Sequence, residues 1–317
     1  MQTLQSAVFD PAAPQPGRYA GVPEAAYFAA PALNASTLKQ MVRSPAHCRA
    51  YLDAASRPDT EAQLVGRMVH CAVLEPARFA TDYCPAPELS DYPHALTDAE
   101  SYKAAAKALG EKVSGTKAEL RARIEAADRA GTFVFWDNLL AELVGGRSAL
   151  KPAHWAMGQA IMAALAANPK ALAALSRGAA EETLVWQDAL SGLLCKGRLD
   201  YYRDDLGVVF DVKTTEDARP FAVERDLVKW GYHLSAAHYL AGLRARGLPG
   251  DSFAWIFIEK AAPHAMGLYF ASPALLDTAE GQRRRLLDAY AACQTSGVWP
   301  GYPGEFQTID LPVWARD

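Results

Sequence analysis

Three charged residues stand where apolar ones would be expected. Asp200 lies in the run Leu193 to Tyr202, and Asp211 and Lys213 lie in Val208-Val209-Phe210-Asp211-Val212-Lys213; both runs read as strands. Side chains alternate along a strand, so Asp211 and Lys213 share a face while Val212 turns toward the core. By the same rule Lys196, Arg198 and Asp200 share one face of the preceding strand. If the two strands are neighbours, two carboxylates and a set of cations converge on one surface. Nearby carboxylates repel, and a hard divalent cation is the usual way to keep both ionised. A lysine two residues from a metal-binding aspartate can orient and stabilise a hydroxide nucleophile, or offset charge on a phosphoryl group. Lys196 and Arg198 would then hold neighbouring phosphates. The ordinary alternative is a solvated strand face with surface ion pairs, as for most D-x-K triplets; the aspartate at an adjacent-strand position raises this one above it.

The elements that must position these groups change character at about residue 180. Before it the pattern is helical. Residues 1–33 are rich in Pro, Gly and Ala and read as an extended arm. Asn34 or Ser36 can cap a first helix, and a second covers His47 to Ala55. A third covers Glu61 to Leu74 and is stopped by Pro76. Residues 77–98 look like a loop. A charged helical pair follows over 97–131, in which Thr116-Lys117-Ala118-Glu119 is a capping box. Helix resumes over 133–144 and 152–176. Three strands then meander over 183–187, 193–202 and 208–213. Helices over 219–229 and 232–246, a hairpin over 253–259 and 266–271, and a last helix from Pro273 complete a mixed α/β pattern. Trp136, Trp155, Trp186, Trp230 and Trp255 are most simply read as core and interface filling.

Composition removes whole classes of function. The chain has 317 residues, 50% hydrophobic and 21% charged, enough for one large domain or two ordinary ones. Lys+Arg 32 against Asp+Glu 36 gives a net charge of -4, which excludes nucleic-acid binding by bulk charge and requires a local basic patch. No stretch approaches the roughly 18 apolar residues of a membrane span, so no membrane partner is expected. The N-terminus lacks the order of a signal peptide. The five scattered cysteines fit a reducing cytoplasm and exclude a disulfide scaffold or four-cysteine cluster from this chain alone.

At this point the residues resemble a known family. Asp200 followed by Asp211-Val212-Lys213 looks like the PD-(D/E)XK nuclease motif, with Leu199 in place of the proline. Gly66-Arg67-Met68-Val69-His70 with Leu74-Glu75-Pro76 is similar to the G-x-x-x-H helix of the RecB-like and exonuclease VIII (RecE-like) branches. Ala180 to Trp186, Cys195 to Tyr201 and Asp211 to Thr215 resemble the RecE-like core, and Gly231-Tyr232-His233 with Ala236-Ala237-His238-Tyr239 follows its next helix. The resemblance covers residues 20–80 and 180–290. It implies a restriction-endonuclease-like α/β core, a mixed central sheet flanked by helices, over 34–317, with a helical N-terminal half and a helical insertion.

The resemblance also implies roles. Asp200 and Asp211 would be the principal metal ligands, with the Val212 carbonyl as a third oxygen and His70 completing the sphere. On sequence alone, a histidine among Met68, Val69, Cys71 and Ala72 is more often a packed core residue. Glu181 would hold a metal-bound water or a second metal; Glu182 is the alternative counterpart, and a surface acid is the bland reading of either. Lys213 would activate the water. The family's Q-x-x-x-Y helix departs here, with Ser235 at the glutamine position before Tyr239, and the shorter serine reaches less far toward a scissile phosphate. The implied activity is Mg²⁺-dependent exodeoxyribonuclease action on linear duplex DNA, with Mn²⁺ as the other ion. Degradation from the 5′ end would leave 3′ tails for a single-strand annealing recombinase, and the family implies a ring-shaped homo-oligomer. The rival readings are an endonuclease, flap or single-strand repair nuclease of the same fold, and a DNA-binding protein with decayed catalytic apparatus.

Gly110 to Lys117 looks at first like a phosphate-binding P-loop, but Thr and Lys are reversed and no apolar strand precedes them. Residues 97–131 instead resemble a SAP/HeH-type helix–loop–helix. Lys112, Lys117, Arg121 and Arg123 would then contact phosphates; an amphipathic insertion with a solvated charged face is at least as good a reading, given Glu111, Glu119 and Glu125. Ser36, Lys39 and Arg43 sit at helical spacing and could cradle a terminal phosphate. Arg283-Arg284-Arg285 could line a DNA channel, although a solvated helical face is the commoner explanation.

Overall fold

A computed structural model describes residues 8–54 and 60–311. Residues 1–7 of the expected arm, Ala55 at the end of an expected helix and 312–317 at the end of the expected nuclease domain lie outside the described residues. The chain begins with strand β1 (Gly17–Tyr19) and helices α1 (Glu24–Ala29), α2 (Ala35–Gln40), α3 (Pro45–Asp53) and α4 (Glu61–Leu74). Then come α5 (Pro76–Asp82), β2 (Tyr83–Pro85), α6 (Ala99–Ala108), α7 (Lys117–Ala127) and α8 (Trp136–Val144). Strand β3 (Ser148–Leu150) and helices α9 (Pro152–Ala166) and α10 (Pro169–Ala174) follow. The site-bearing part comprises β4 (Ala179–Gln187), β5 (Leu194–Arg203), β6 (Val208–Thr215), α11 (Pro220–Lys229) and α12 (Tyr232–Ala245). Strands β7 (Ser252–Glu259) and β8 (Met266–Phe270) and helix α13 (Pro273–Ser296) complete it.

The chain divides into two compact units, one of residues up to Gly66 and from Ala164 onward, the other Arg67–Ala163. The first holds a six-stranded sheet in the order β1-β4-β5-β6-β7-β8. Its pairs are antiparallel except β6–β7, which is parallel. A parallel pair needs a long crossover, and α11 and α12 supply it. The main core is built from Leu184, Trp186, Leu199, Val209, Phe253 and Trp255 of the sheet, with Leu38, Leu227, Leu240, Leu243, Leu287 and Tyr290 from the helices. Close packing there depends on glycine. A Cβ at Gly242 would lie 2.8 Å from the Trp186 ring, and one at Gly197 would lie 2.8 Å from the ring of Tyr239. This is the mixed α/β architecture expected, a mixed central sheet flanked by helices.

The second unit contains the helical pair α6–α7, whose own core is Tyr102, Ala105, Ala106, Leu120, Ile124 and Phe135. Capping boxes at Asp98 and Thr116 open the two helices, the second as expected.

Several expectations are corrected. The arm is not merely extended, because β1 pairs with β4 and α1 follows it. Tyr19, Val22 and Tyr27 bury against Val185, so the arm extends the sheet of the nuclease domain. Pro76 does not leave a plain loop behind it. It occupies the first turn of α5, where the missing N–H is harmless. The helix expected over 152–176 is two helices, because Asn168 caps a new start and accepts from the Ala171 N–H at 3.1 Å. Trp186 and Trp255 are core residues as expected, whereas Trp230 is 52% exposed. No helix among the described residues is long and apolar enough to cross a membrane.

Candidate active site

Hydrogen bonding between β5 and β6 runs from Arg203↔Val208 to Tyr201↔Phe210, and the next position on β5 is Asp200. There a side chain replaces the ladder: Asp200 Oδ2 accepts from the Val212 N–H at 2.9 Å. The backbone donor is satisfied and the carboxylate is fixed beside β6. Asp211 and Lys213 lie on β6, and Lys213 Nζ reaches Asp211 Oδ2 at 2.5 Å, Asp200 Oδ2 at 3.6 Å and, as a donor, the Val212 carbonyl at 3.1 Å. The expected meeting of Asp200, Asp211 and Lys213 is therefore present. Asp200 is 8% and Asp211 2% exposed, so both carboxylates are largely withdrawn from water. Burial alone would lower the pKa of the Lys213 ammonium, but the adjoining Asp211 and Asp200 outweigh it and raise it.

The three oxygens expected to bind metal, on Asp200, Asp211 and the Val212 carbonyl, already surround one positive group. An all-oxygen donor set with two carboxylates fits a hard divalent cation.

Glu181 and Glu182, the alternative site acids, differ in their partners. Glu182 is 1% exposed and engaged by Arg18, whose Nε lies 2.9 Å from Oε1 and whose Nη2 lies 2.7 Å from Oε2. It is a buried anchor for β1. Glu181 is half-buried, and Arg198 approaches it at 3.8 Å. The register on either side, Ala180↔Tyr201 and Glu182↔Leu199, sets Glu181 opposite Asp200. Glu181 also has φ +53°, a left-handed backbone that costs a non-glycine residue about 1–2 kcal/mol. Strain of this kind persists only where the surroundings over-determine it, and it gathers at functional sites.

Lys39 joins the group. Asn34, not Ser36, caps α2, accepting from Thr37 N–H at 2.8 Å. From that helix Lys39 Nζ lies 5.4 Å from the centroid of the Tyr232 ring, and Lys213 Nζ lies 5.4 Å from the centroid of the same ring. Burial first, and then the neighbouring Lys213, bring the Lys39 pKa down to about 8. Ser36 is exposed on the same helix, and Arg43 donates to the Tyr302 hydroxyl at 3.3 Å. Tyr232, quoted in the sequence only as part of Gly231-Tyr232-His233, was given no role there; it opens α12 directly after Gly231, which is in left-handed conformation.

Tyr239 is half-buried on α12, stacked on Phe253 with ring centroids 6.4 Å apart. Its pKa is raised by burial and then by Tyr27, Asp211 and Asp200. Ser235 is 6% exposed on the same helix. His70 lies on α4, half-buried.

Three residues expected to contact phosphate have partners within the chain. Lys196 is 2% exposed and donates to the carbonyls of Tyr27 and Ala30, each at 2.6 Å. A lysine has three donors, so this ammonium is committed to holding the arm, and burial with the nearby Arg198 lowers its pKa to about 8. Lys117 donates to the Thr97 carbonyl at 2.7 Å and lies over the Tyr102 ring. Arg121 pairs with Glu125 and Asp137 and covers the Phe135 ring. Both hold the helical insertion together. Arg198 is shared: it donates to the Val22 carbonyl at 2.9 Å, stands over Tyr27 and still faces Glu181.

A mixed sheet with a crossover after β6, carrying Asp200, Asp211, Val212 and Lys213 around one point, is the fold and motif of the PD-(D/E)XK class. The chain belongs to the family described as a PDDEXK-like domain of unknown function, DUF3799, which matches residues 34–312. Among solved structures it is similar to a protein provisionally named an exonuclease from Eubacterium rectale, 12% identical, with TM-score 0.47, covering 89% of this chain and 91% of that one. It is also similar to a phage-related exonuclease from Haemophilus somnus, 14% identical, with TM-score 0.27, covering 67% of this chain and all of that one. No curated protein matches.

Proposed function

We propose that the protein is a metal-dependent exodeoxyribonuclease that hydrolyses linear double-stranded DNA, 5′ to 3′, and leaves 3′ single-stranded tails. The observation that carries the hydrolytic part is the convergence of Asp200, Asp211, Val212 O and Lys213 on one point. The exonuclease part rests on the resemblance of residues 20–80 and 180–290 to the RecE-like branch.

A divalent cation, Mg²⁺ or Mn²⁺, would be held by Asp200, Asp211 and the Val212 carbonyl, with His70 as a further ligand; it supplies Lewis-acid polarisation of the phosphate. The chain's own groups do the rest. Lys213 donates to the attacking water and offsets charge on the phosphoryl oxygens. The water oxygen forms the new bond to phosphorus, the P–O3′ bond breaks, the 3′ oxygen leaves protonated and the water's remaining proton passes to solvent. Glu181 orients the water from the β4 side. Lys39, with Ser36 on the same helix, receives the terminal phosphate, and Arg198, Ser235 and Tyr239 position the strand. A single-strand annealing recombinase as partner, a ring-shaped homo-oligomer and a cytoplasmic location belong to the same reading. Ring closure would concentrate a modest basic surface on the substrate despite a net charge of -4.

The test compares a linear duplex with a covalently closed circle of the same sequence, in Mg²⁺ and in chelator. Metal-dependent loss of the linear form alone is expected. Cleavage of the closed circle at a similar rate would make the protein an endonuclease.

A further inference from the structure

A groove of about 660 Å³ lies between α2, the α11–α12 junction and α13. Its walls include Lys39, Lys229, Trp230, Gln282 and Arg285, and among the described residues no aspartate or glutamate lines it. In a chain with a net charge of -4, such a concentration of cations is a local feature that calls for an anionic occupant.

The arginine run on α13 divides its labour. Arg283 and Arg284 are bound to Asp188, Glu280 and Asp288. Arg285 faces the groove, and no ion pair engages it among the described residues. Trp230 is 52% exposed, with Lys229 Nζ 4.7 Å from its ring centroid. Exposed Val42 and Val228 add apolar surface at the same place. An exposed indole beside solvated cations is the chemistry that takes a base on its face and the following phosphates at its edge. Lys39 connects the groove to the Asp200–Asp211–Lys213 cluster, because it lines the one and shares the Tyr232 ring with Lys213 of the other.

We infer that this groove holds a single strand of DNA running to or from that cluster, with one base stacked on Trp230 and phosphates on Lys229 and Arg285. The inference rests on the nuclease reading of the site. An exposed indole can take the face of an unpaired base, which a duplex keeps stacked inside.

The experiment is fluorescence anisotropy of a short fluorescein-labelled oligothymidylate in chelator, over a range of salt, for the full chain and for Trp230→Ala, Trp230→Phe and Arg285→Glu. Trp230→Ala should weaken binding about tenfold, the loss of one base–aromatic stack, and Trp230→Phe should retain most of the affinity. Arg285→Glu should lower the salt slope by about 0.7, one single-strand phosphate. Wild-type affinity in Trp230→Ala together with an unchanged slope in Arg285→Glu would overturn the inference, as would an unmodified protein that binds no oligothymidylate. Thermal melting of each variant establishes that the fold is intact, and if Trp230→Ala unfolds, Trp230→Phe and the Arg285→Glu slope still decide. Because nothing is cleaved in chelator, an active exonuclease can fail this test and an inactive protein can pass it, so the two readings fall separately.

Discussion

The carboxylate of Asp200 accepts the Val212 N–H at 2.9 Å, one position beyond the last backbone pair of β5 and β6. A strand-to-strand hydrogen bond is thereby replaced by one through a side chain. The same bond that continues the sheet also fixes Asp200 beside Asp211 and Lys213.

The adjacent acids of β4 have separate partners, and substitution should part them. Glu182→Gln removes one partner of the buried pair with Arg18, a loss of about 3–5 kcal/mol, and should lower the melting temperature sharply. Glu181→Gln should change stability by less than about 0.5 kcal/mol while reducing DNA cleavage. Thermal denaturation beside a nuclease assay measures both; a stable, inactive Glu182→Gln protein would reverse the assignment.

Lys196 is expected to act on the arm and not on DNA. Lys196→Met leaves the carbonyls of Tyr27 and Ala30 without their donor, at a cost of about 1–3 kcal/mol. Limited proteolysis should then cut within residues 20–32, while the salt slope of DNA binding stays as in the wild type. A slope reduced by about 0.9 with an intact arm would restore Lys196 as a phosphate contact.

How much of this was legible beforehand differs by element. The meander of β4 to β6 and the crossover helices were readable because apolar runs of strand length were punctuated by Ser191-Gly192 and Asp205-Leu206-Gly207. The cluster of Asp200, Asp211 and Lys213 was readable because charges at alternate strand positions violate the pattern of a core. What Lys196, Lys117 and Arg121 bind was not readable, since a cation on a strand or helix looks the same whether it faces a phosphate or a carbonyl from a distant segment. The role of the arm was hidden for the same reason: β1 has three residues and exists only through its pairing with β4. Gly197 and Gly242 carried no local signal, because their need for a missing Cβ comes from Tyr239 and Trp186 across the core.

A buried histidine gives the fold an acid limit. His238 is fully buried, its ring donates to the Lys196 carbonyl at 3.1 Å, and burial lowers its pKa to about 3. The unfolded chain takes up this proton near pH 6.5, and the folded chain does not do so until about pH 3. Between those values the unfolded state binds more protons, so stability falls as pH is lowered, with a slope of up to about 1.4 kcal/mol per pH unit from this group. Denaturant titrations from pH 7 to pH 4 should show this component in the wild type and lack it in His238→Phe. An equal slope in both would refute it.

The central claim is that Asp200, Asp211 and Lys213 form one metal-dependent hydrolytic site. Its most direct test is digestion of end-labelled linear duplex DNA by the wild type and by Lys213→Ala, each with Mg²⁺ and with chelator. The wild type should release label only when metal is present, and Lys213→Ala should be slower by at least about 100-fold with its melting temperature retained. Release of label that survives both chelation and the loss of Lys213 would contradict the account.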